Sequence, residues 1–504
     1  MTADEPLVVP YHSARPAKES RLNMPTSTTP ARDGRWLALT VLCLGVLMIV
    51  LDTTIVNVAL PSIRSDLGFS EATLAWVVNA YVLTYGGFLL LGGRLGDLFG
   101  HRKLFLLGLV LFTAASLACG MAGSREWLVI ARGIQGLGGA VVTAVALSLI
   151  MDLFTEPAER AKAMGVYGFV CAGGGSVGVL LGGLLVSTLS WHWVFLVNLP
   201  IGLAVFVASL RLLPAVHGSS DMRHLDVGGA LSITAALILA VYAIVDGNQA
   251  GWLSARTLGM LAVAVALFTL FLFVETRVRA PLVPLKLFRL RNLAIANVVG
   301  VLWAGAMFAW FFLSALYLQL VLGYGPMEVG LAFLPGNLVM AACSLGLSAR
   351  IVMRFGIRRP LAGGLLVAAI GLALFAHAPA DGHFLVDVLP GMVLLGLGAG
   401  IAFNPVLLAA MNDVDPRDSG LASGIVNTAF MMGGALGLAV LASLAAARTG
   451  TALEAGAAQA VALNAGYRAA FLAGTAFAVL AALLGGLLLR PRQSMLAAEA
   501  ATAP

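Results

Sequence analysis

Long apolar runs alternate with short polar ones along almost the whole chain. Apolar segments of about 20 residues, the length that crosses roughly 30 Å of hydrocarbon as a helix, begin near Trp36, Leu74, Leu104, Trp127, Ala161, Trp191, Val227 and Thr257. Six more begin near Leu293, Val329, Leu361, Leu385, Gly420 and Arg468. The pattern predicts an all-α polytopic membrane protein with 14 transmembrane helices. Composition agrees: of 504 residues, 60% are hydrophobic and 11% charged, outside the range of a soluble globular domain.

The net charge of +6 resides in short basic clusters between the apolar runs, not on a continuous face, so nucleic acid is not an expected partner. The clusters report orientation instead. Arg94, Arg102, Lys103, Arg160, Lys162, Arg211, Arg223, Arg277, Lys286, Arg291, Arg350, Arg354, Arg358 and Arg359 fall in the even-numbered connections. The opposite side receives Arg64, Arg125, Arg256, Arg448 and Arg468. Both termini are therefore expected in the cytoplasm, with the chain multi-pass in the plasma membrane. Residues 1–35 lack a hydrophobic core followed by a cleavage site and read as a cytoplasmic tail. Cys43, Cys119, Cys171 and Cys343 lie inside apolar segments without paired spacing, and the histidines show no ligand spacing. No metal and no cofactor is expected.

Asp52 breaks the first apolar segment, in LMIVLDTTIVNVALP. An ionised side chain in hydrocarbon costs several kcal/mol on insertion scales, and its default reading is functional. Arg132 is the matching charge of the fourth span. If spans one and four end near Leu60 and Trp127, both side chains lie roughly 8 to 9 Å below the outer surface and are expected to meet across the bundle.

The chain also repeats. Gly93-Arg-Leu-Gly-Asp-Leu-Phe-Gly-His-Arg-Lys103 after span two matches Ala349-Arg-Ile-Val-Met-Arg-Phe-Gly-Ile-Arg-Arg359 after span ten. Nearly the same offset lays Arg132-Gly-Ile-Gln-Gly-Leu-Gly-Gly-Ala140 over Met392-Val-Leu-Leu-Gly-Leu-Gly-Ala-Gly400, and Glu156-Pro157 over Asp415-Pro416. Spans one to six recur as nine to fourteen, with two helices inserted between. The expected divisions are a tail at 1–35, a six-helix bundle at 36–213, an insertion and linker at 214–292, a second bundle at 293–490 and a tail at 491–504. Parallel halves of this kind predict a transporter whose site lies between them near mid-membrane. The charges are not repeated: Met353 stands opposite Asp97, and Met392 opposite Arg132.

These residues resemble the major facilitator superfamily, and within it the fourteen-span drug:proton antiporters, along nearly the whole chain. Gly93, Leu95, Asp97, Gly100, Arg102 and Lys103 match the superfamily's loop motif, and Leu51 to Pro61 matches the signature of the fourteen-span branch. Arg132, Gln135, Gly136 and Gly139 resemble the pattern associated with proton coupling; Gly174, Gly178, Gly182 and Gly183 resemble the antiporter motif. Val179 replaces the proline of that motif, and Leu98 a basic residue of the loop motif.

The resemblance implies a proton-coupled exporter of lipophilic small molecules such as antibiotics or drugs, acting by alternating access with Asp52 as proton carrier. An importer or uniporter of another solute on the same fold is the alternative. Gly93, Asp97, Gly100, Arg102 and Lys103 then form a cytoplasmic gate, with Asp152 as a partner. Gly174, Gly178 and Gly182 share one helix face at i, i+4 and i+8 and permit close helix packing. Asn57, Asn79, Tyr81 and Gln135 from the first half, with Trp310, Gln319, Asn337 and Asn427 from the second, are the substrate-cavity candidates. The second half offers no clear intramembrane carboxylate, which favours a neutral or singly charged substrate. The glycine-rich runs lack a following Lys-Ser or Lys-Thr, so no nucleotide is expected. Short loops without a catalytic cluster argue against an enzyme, and the expected partners are substrate, protons and the lipid bilayer, with the chain a monomer.

Overall fold

In hydrocarbon no water is present to accept backbone hydrogen bonds, so an apolar run satisfies them internally as helix. A computed structural model of the chain describes residues 32–213, 226–278, 281–411, 413–414 and 419–490. The tails before residue 32 and after residue 490, Asp415-Pro416, and the side chains of Asp97 and Cys171 lie outside the described residues.

The helices are α1 (Arg32–Leu67), α2 (Glu71–Leu74), α3 (Trp76–Phe99), α4 (His101–Gly120), α5 (Arg125–Leu153), α6 (Pro157–Thr188), α7 (Trp193–Leu196) and α8 (Asn198–Leu212). Next come α9 (Val227–Ala250), α10 (Ala255–Arg277), α11 (Arg291–Leu316), α12 (Pro326–Ala342) and α13 (Ser348–Phe355). The chain closes with α14 (Arg358–His377), α15 (Leu389–Met411), α16 (Ser419–Glu454) and α17 (Gln459–Leu488). Among the described residues, 12 helices are long and apolar enough to cross a membrane. The fifth and tenth expected positions are filled by α6, of 32 residues, and by α12 continued through a π turn at Cys343–Leu347 into α13. Helix therefore stands at every one of the expected span positions.

The first span differs in length from its expected Trp36–Leu60, because α1 continues through Pro61 to Leu67. Proline removes the N–H that the Asn57 carbonyl would accept, and one turn of loosened helix is tolerated there. The neighbouring Val58 carbonyl accepts a hydrogen bond from Gln319 Nε2 at 3.0 Å, so this stretch gains a partner from the second half.

The internal repeat survives as matched packing. Gly100 and Gly356, at φ of 94° and 72°, end the matched helices α3 and α13 in a backbone region that favours glycine. Arg102 at the start of α4 donates to the Leu210 carbonyl near the end of α8. Its counterpart Arg358, at the start of α14, donates through Nε to the Gly486 carbonyl near the end of α17 at 3.1 Å. Close approaches recur too: a Cβ at Gly136 would strike the Tyr81 carbonyl, and one at Gly396 the Gly336 carbonyl.

Helices α1 to α8 pack mainly among themselves, as do α11 to α17, while α6 against α12 and α3 against α16 form the seam between the two sets. The hairpin of α9 and α10 lies at this seam, α9 touching both α3 and α16. Gly396→Val places a branched side chain against backbone, and we expect it to destabilise the protein by about 1–3 kcal/mol. Gly165, with open space around its Cα, is the control: Gly165→Ala should be neutral or stabilising by up to about 1 kcal/mol. Thermal melting of the two purified variants checks the contrast.

Candidate functional site

Asp52 lies near the middle of α1, twenty residues from Arg32 and fifteen from Leu67. Its side chain is fully buried, so each carboxylate oxygen needs a donor from protein.

The neighbouring helices supply them. Arg132 Nη1 on α5 donates to Asp52 Oδ2 at 2.5 Å. Gln135 Nε2, one helical turn along α5, donates to Oδ1 at 2.7 Å. Asn198 Nδ2, the first residue of α8, donates to the same oxygen at 3.0 Å. Each amide nitrogen also donates to Ser116 Oγ on α4, at 2.6 Å from Gln135 and 3.0 Å from Asn198. Both hydrogens of each amide are thereby used.

Arg132 is held on its other sides as well. Its Nη1 also donates to Gln135 Oε1 at 2.7 Å, and its Nε to the Val77 carbonyl of α3 at 2.9 Å. The guanidinium lies over the Tyr81 ring, 4.3 Å from the centroid, where the negative face of the ring attracts a cation. Asp52, Ser116, Arg132 and Gln135 are all without exposure to solvent and Asn198 nearly so. The result is an ion pair between α1 and α5, closed by amide donors from α5 and α8 and by acceptors on α3 and α4.

The structure brings Asp52 and Arg132 together as the sequence reading expects, and Gln135, a cavity candidate, bonds to both of them. Ser116 and Asn198 were missed. Each is an isolated polar residue in an apolar run, and only the meeting of α4 and α8 with α1 makes them partners.

The remaining candidates divide by hydrogen bonding. Asn57 and Asn427 donate to carbonyls of their own helices. Gln319 reaches Val58 across the seam. Both side-chain polar atoms of Asn79, Tyr81 Oη, Trp310 Nε1 and Asn337 Oδ1 are buried and have no partner. Such groups call for a physical explanation. Trp310, Phe311 and Phe333 form an aromatic cluster in the second set, with Phe311 and Phe333 stacked at 5.6 Å.

The loop motif engages its own set of helices. His101 Nδ1 pairs with Asp152 Oδ2 at 2.9 Å, Arg102 binds the Leu210 carbonyl, and Lys103 is exposed. Gly93 lies beside Ala144 of α5. The glycine face of α6 docks on α1: a Cβ at Gly174 would meet Leu47 and Val50, at Gly178 the Leu51 backbone, and at Gly182 the Ile55 carbonyl. Gly183, turned to the next face, abuts the Pro326 carbonyl of α12 across the seam.

At the end of the bundle away from the termini, a second polar cluster joins the two sets. Glu71 Oε1 lies 3.5 Å from Arg64 Nη1, and the Thr449 hydroxyl of α16 faces the Glu71 carboxyl. The buried Tyr467 hydroxyl of α17 sits in the field of the same pair. Burial, outweighing the pull of Arg64, raises the Glu71 carboxyl above its ordinary value.

Two repeated sets of helices, a buried ion pair inside the first of them and a hairpin inserted at the seam define a membrane transporter of the repeat-built type. The chain belongs to the Major Facilitator Superfamily, whose model matches residues 42–438. It is 40% identical to the puromycin resistance protein pur8 of Streptomyces alboniger over 82% of both chains. It is 37% identical to the cephamycin export protein CmcT of Amycolatopsis lactamdurans over 87% of this chain and 89% of that one. Its fold is also that of a bacterial homologue of the human lysosomal transporter Spinster in an inward-facing, unoccupied conformation. That likeness has a TM-score of 0.65 at 17% identity and covers 92% of this chain and 98% of the other.

Asn198→Ala removes a donor from a buried carboxylate and should cost about 1.5–3 kcal/mol, read as a lower melting temperature; an unchanged melt would mean that the bond contributes nothing. Glu71 gives a pH dependence. The joined state binds a proton more tightly than a state with Glu71 in water, so its stabilisation is complete below the ordinary carboxylate value and is lost as pH rises through the raised one. Wild type should melt higher on the acid side of that window, and Glu71→Gln should flatten the profile there.

Proposed function

We propose that the chain is a proton-coupled exporter of lipophilic small molecules of the antibiotic type. It works as a monomer in the plasma membrane with both termini in the cytoplasm. The buried network around Asp52 carries this reading. An ionised Asp52 satisfies every donor directed at it; a neutral Asp52 frees Arg132 from its counter-charge, and the donors from α5 and α8 then have reason to rearrange. A proton taken up from the outer side thus changes the packing of the first half, which alternating access requires. Arg132 is the partner that biases Asp52 between its charged and neutral forms.

Export of antibiotics is supported by the two relatives, one described as a resistance protein and the other as an export protein. Substrate is expected between the halves, at Asn57, Asn79, Tyr81, Trp310, Gln319, Asn337 and Asn427. The unpartnered polar atoms of Asn79, Tyr81, Trp310 and Asn337 suit hydrogen bonds to a bound molecule or its water. Buried polar residues of the second half, among those described, are neutral. They favour a neutral or singly charged substrate over a dication. No step is catalytic, and the energy comes from the proton gradient.

The remaining motif residues act on the conformational change. Gly93, Asp97, Gly100, Arg102, Lys103 and Asp152 form the cytoplasmic gate, and Gly174, Gly178, Gly182 and Gly183 let α6 ride close on α1 and α12. The two bundles at 36–213 and 293–490 are the units that rock.

Asp52→Asn keeps the size of the side chain and removes the exchangeable proton. We expect the variant to fold and to lose uphill export in proteoliposomes with an imposed pH gradient. Wild-type efflux from that variant would refute proton carriage by Asp52, and proton-driven accumulation in the opposite sense would refute export.

A further inference from the structure

The inserted hairpin holds a pair of buried acids that the transport reading does not use. Asp226 and Glu275, at the end of the α9–α10 hairpin nearest the chain termini, are 3% and 4% exposed. Asp226 Oδ1 caps α9 by accepting from Gly229 N at 2.7 Å. Glu275 Oε2 accepts from Val283 N at 3.2 Å, fixing the linker that leads into α11. The other two oxygens, Asp226 Oδ2 and Glu275 Oε1, have no donor, although the two side chains lie within hydrogen-bonding reach of each other.

The surroundings offer no compensating cation among the described residues. Asp226 is the charged group that faces Glu275, and Arg277, the last residue of α10, turns over the Phe273 ring at 4.9 Å. Leu91 of α3, Ala230 of α9 and Leu282 of the linker form an apolar cluster with Phe88, Leu90, Leu95 and Val283. Glu275 is thus an acid among the few buried residues of a helix that mostly faces outward. Two carboxylates in such a place repel each other and lack water, whereas an acid and a carboxylate share one hydrogen bond and satisfy both free oxygens.

We propose that Asp226 and Glu275 bind a single proton between Oδ2 and Oε1, forming an acid–carboxylate clasp that fastens the inserted hairpin to the linker. Its position beside α3 makes it a control on the seam, because α9 also touches α16 and accepts the Ser443 hydroxyl at the Ile244 carbonyl, 3.0 Å away. With the orientation proposed above, on which this part rests, the clasp faces the cytoplasm. Loss of its proton at high internal pH places two negative charges in contact and loosens the linker from the hairpin. No other reactant is required: the proton passes to solvent and returns from it.

The test uses the full chain in lipid nanodiscs, without substrate or gradient, in an Asp52→Asn, Glu71→Gln background so that neither of those carboxyls contributes signal. Infrared spectra should contain the C=O stretch of a protonated carboxylic acid that titrates as one proton. Glu275→Gln and Asp226→Asn should each abolish that band. Both variants should fold, since an amide N–H can replace the shared proton. Glu275→Ala, which leaves Asp226 Oδ2 without a donor, should melt lower than Glu275→Gln. A band unaffected by either isosteric change overturns the proposal, as does failure of both isosteric variants to fold. Stabilisation of wild type by sodium or calcium at fixed pH, absent in Glu275→Gln, also overturns it by showing a cation in the proton's place. Because the readout needs no transport, the clasp can fail while the exporter reading stands, and the reverse.

Discussion

A carboxylate with no access to water constrains the first set of helices more than any other group in the molecule. Asp52 must be met by donors on both oxygens, and those donors are a long arginine on α5 and two shorter amides, a glutamine on α5 and an asparagine on α8. Short reach demands close helices. The glycines of α5 answer that demand: Gly136 presses on the Tyr81 carbonyl of α3 and Gly138 on the Phe112 backbone of α4. Packing and electrostatics are therefore one problem here. Truncation of either member of the ion pair to alanine would leave a buried charge with no polar group facing it, which destabilises far more than the pair itself stabilises.

The second set has kept the packing and given up the charge. Gly396 and Gly398 repeat the close approaches of Gly136 and Gly138, against Gly336 and against Ala368 with Gly364. Arg358 repeats the carbonyl contact of Arg102. Yet Met392 sits buried where the repeat has Arg132. A duplicated scaffold thus carries two different interiors, one ionic and one of aromatic and neutral polar groups around Trp310 and Asn337. If proton and substrate act on opposite interiors, their coupling must cross the seam through α6 with α12 and α3 with α16.

Much of this was legible in the sequence, for identifiable reasons. The thickness of hydrocarbon fixes span length, so hydropathy located helix at every expected position. Asp52 and Arg132 declared themselves because charge is rare in such runs. Gln135, three residues from Arg132, was legible as a neighbour on the same face, and stood both in the coupling pattern and among the cavity candidates. Ser116 and Asn198 were not legible, since a neutral polar residue in a membrane helix is common and nothing local says which helices will meet. The end of α1 was misjudged because hydropathy stops near Leu60 while the helix continues through Pro61, its loosened turn finding Gln319 in the other set.

The contrast between the interior of the first set and the seam bears on how such a molecule moves. The network at Asp52 is dense in directional bonds, which hold one arrangement and resist small displacements. Among the described residues the seam has few of them. Its hydrogen bonds include Gln319 to Val58 and Ser443 to Ile244, while Gly183 and Gly330 bring α6 and α12 together through backbone and van der Waals contact. Surfaces joined mainly by small residues can slide or rock with few bonds to break and little side-chain reordering. A change in the charge of Asp52 acts on the rigid part, and its consequence is expressed where the molecule offers least directional resistance.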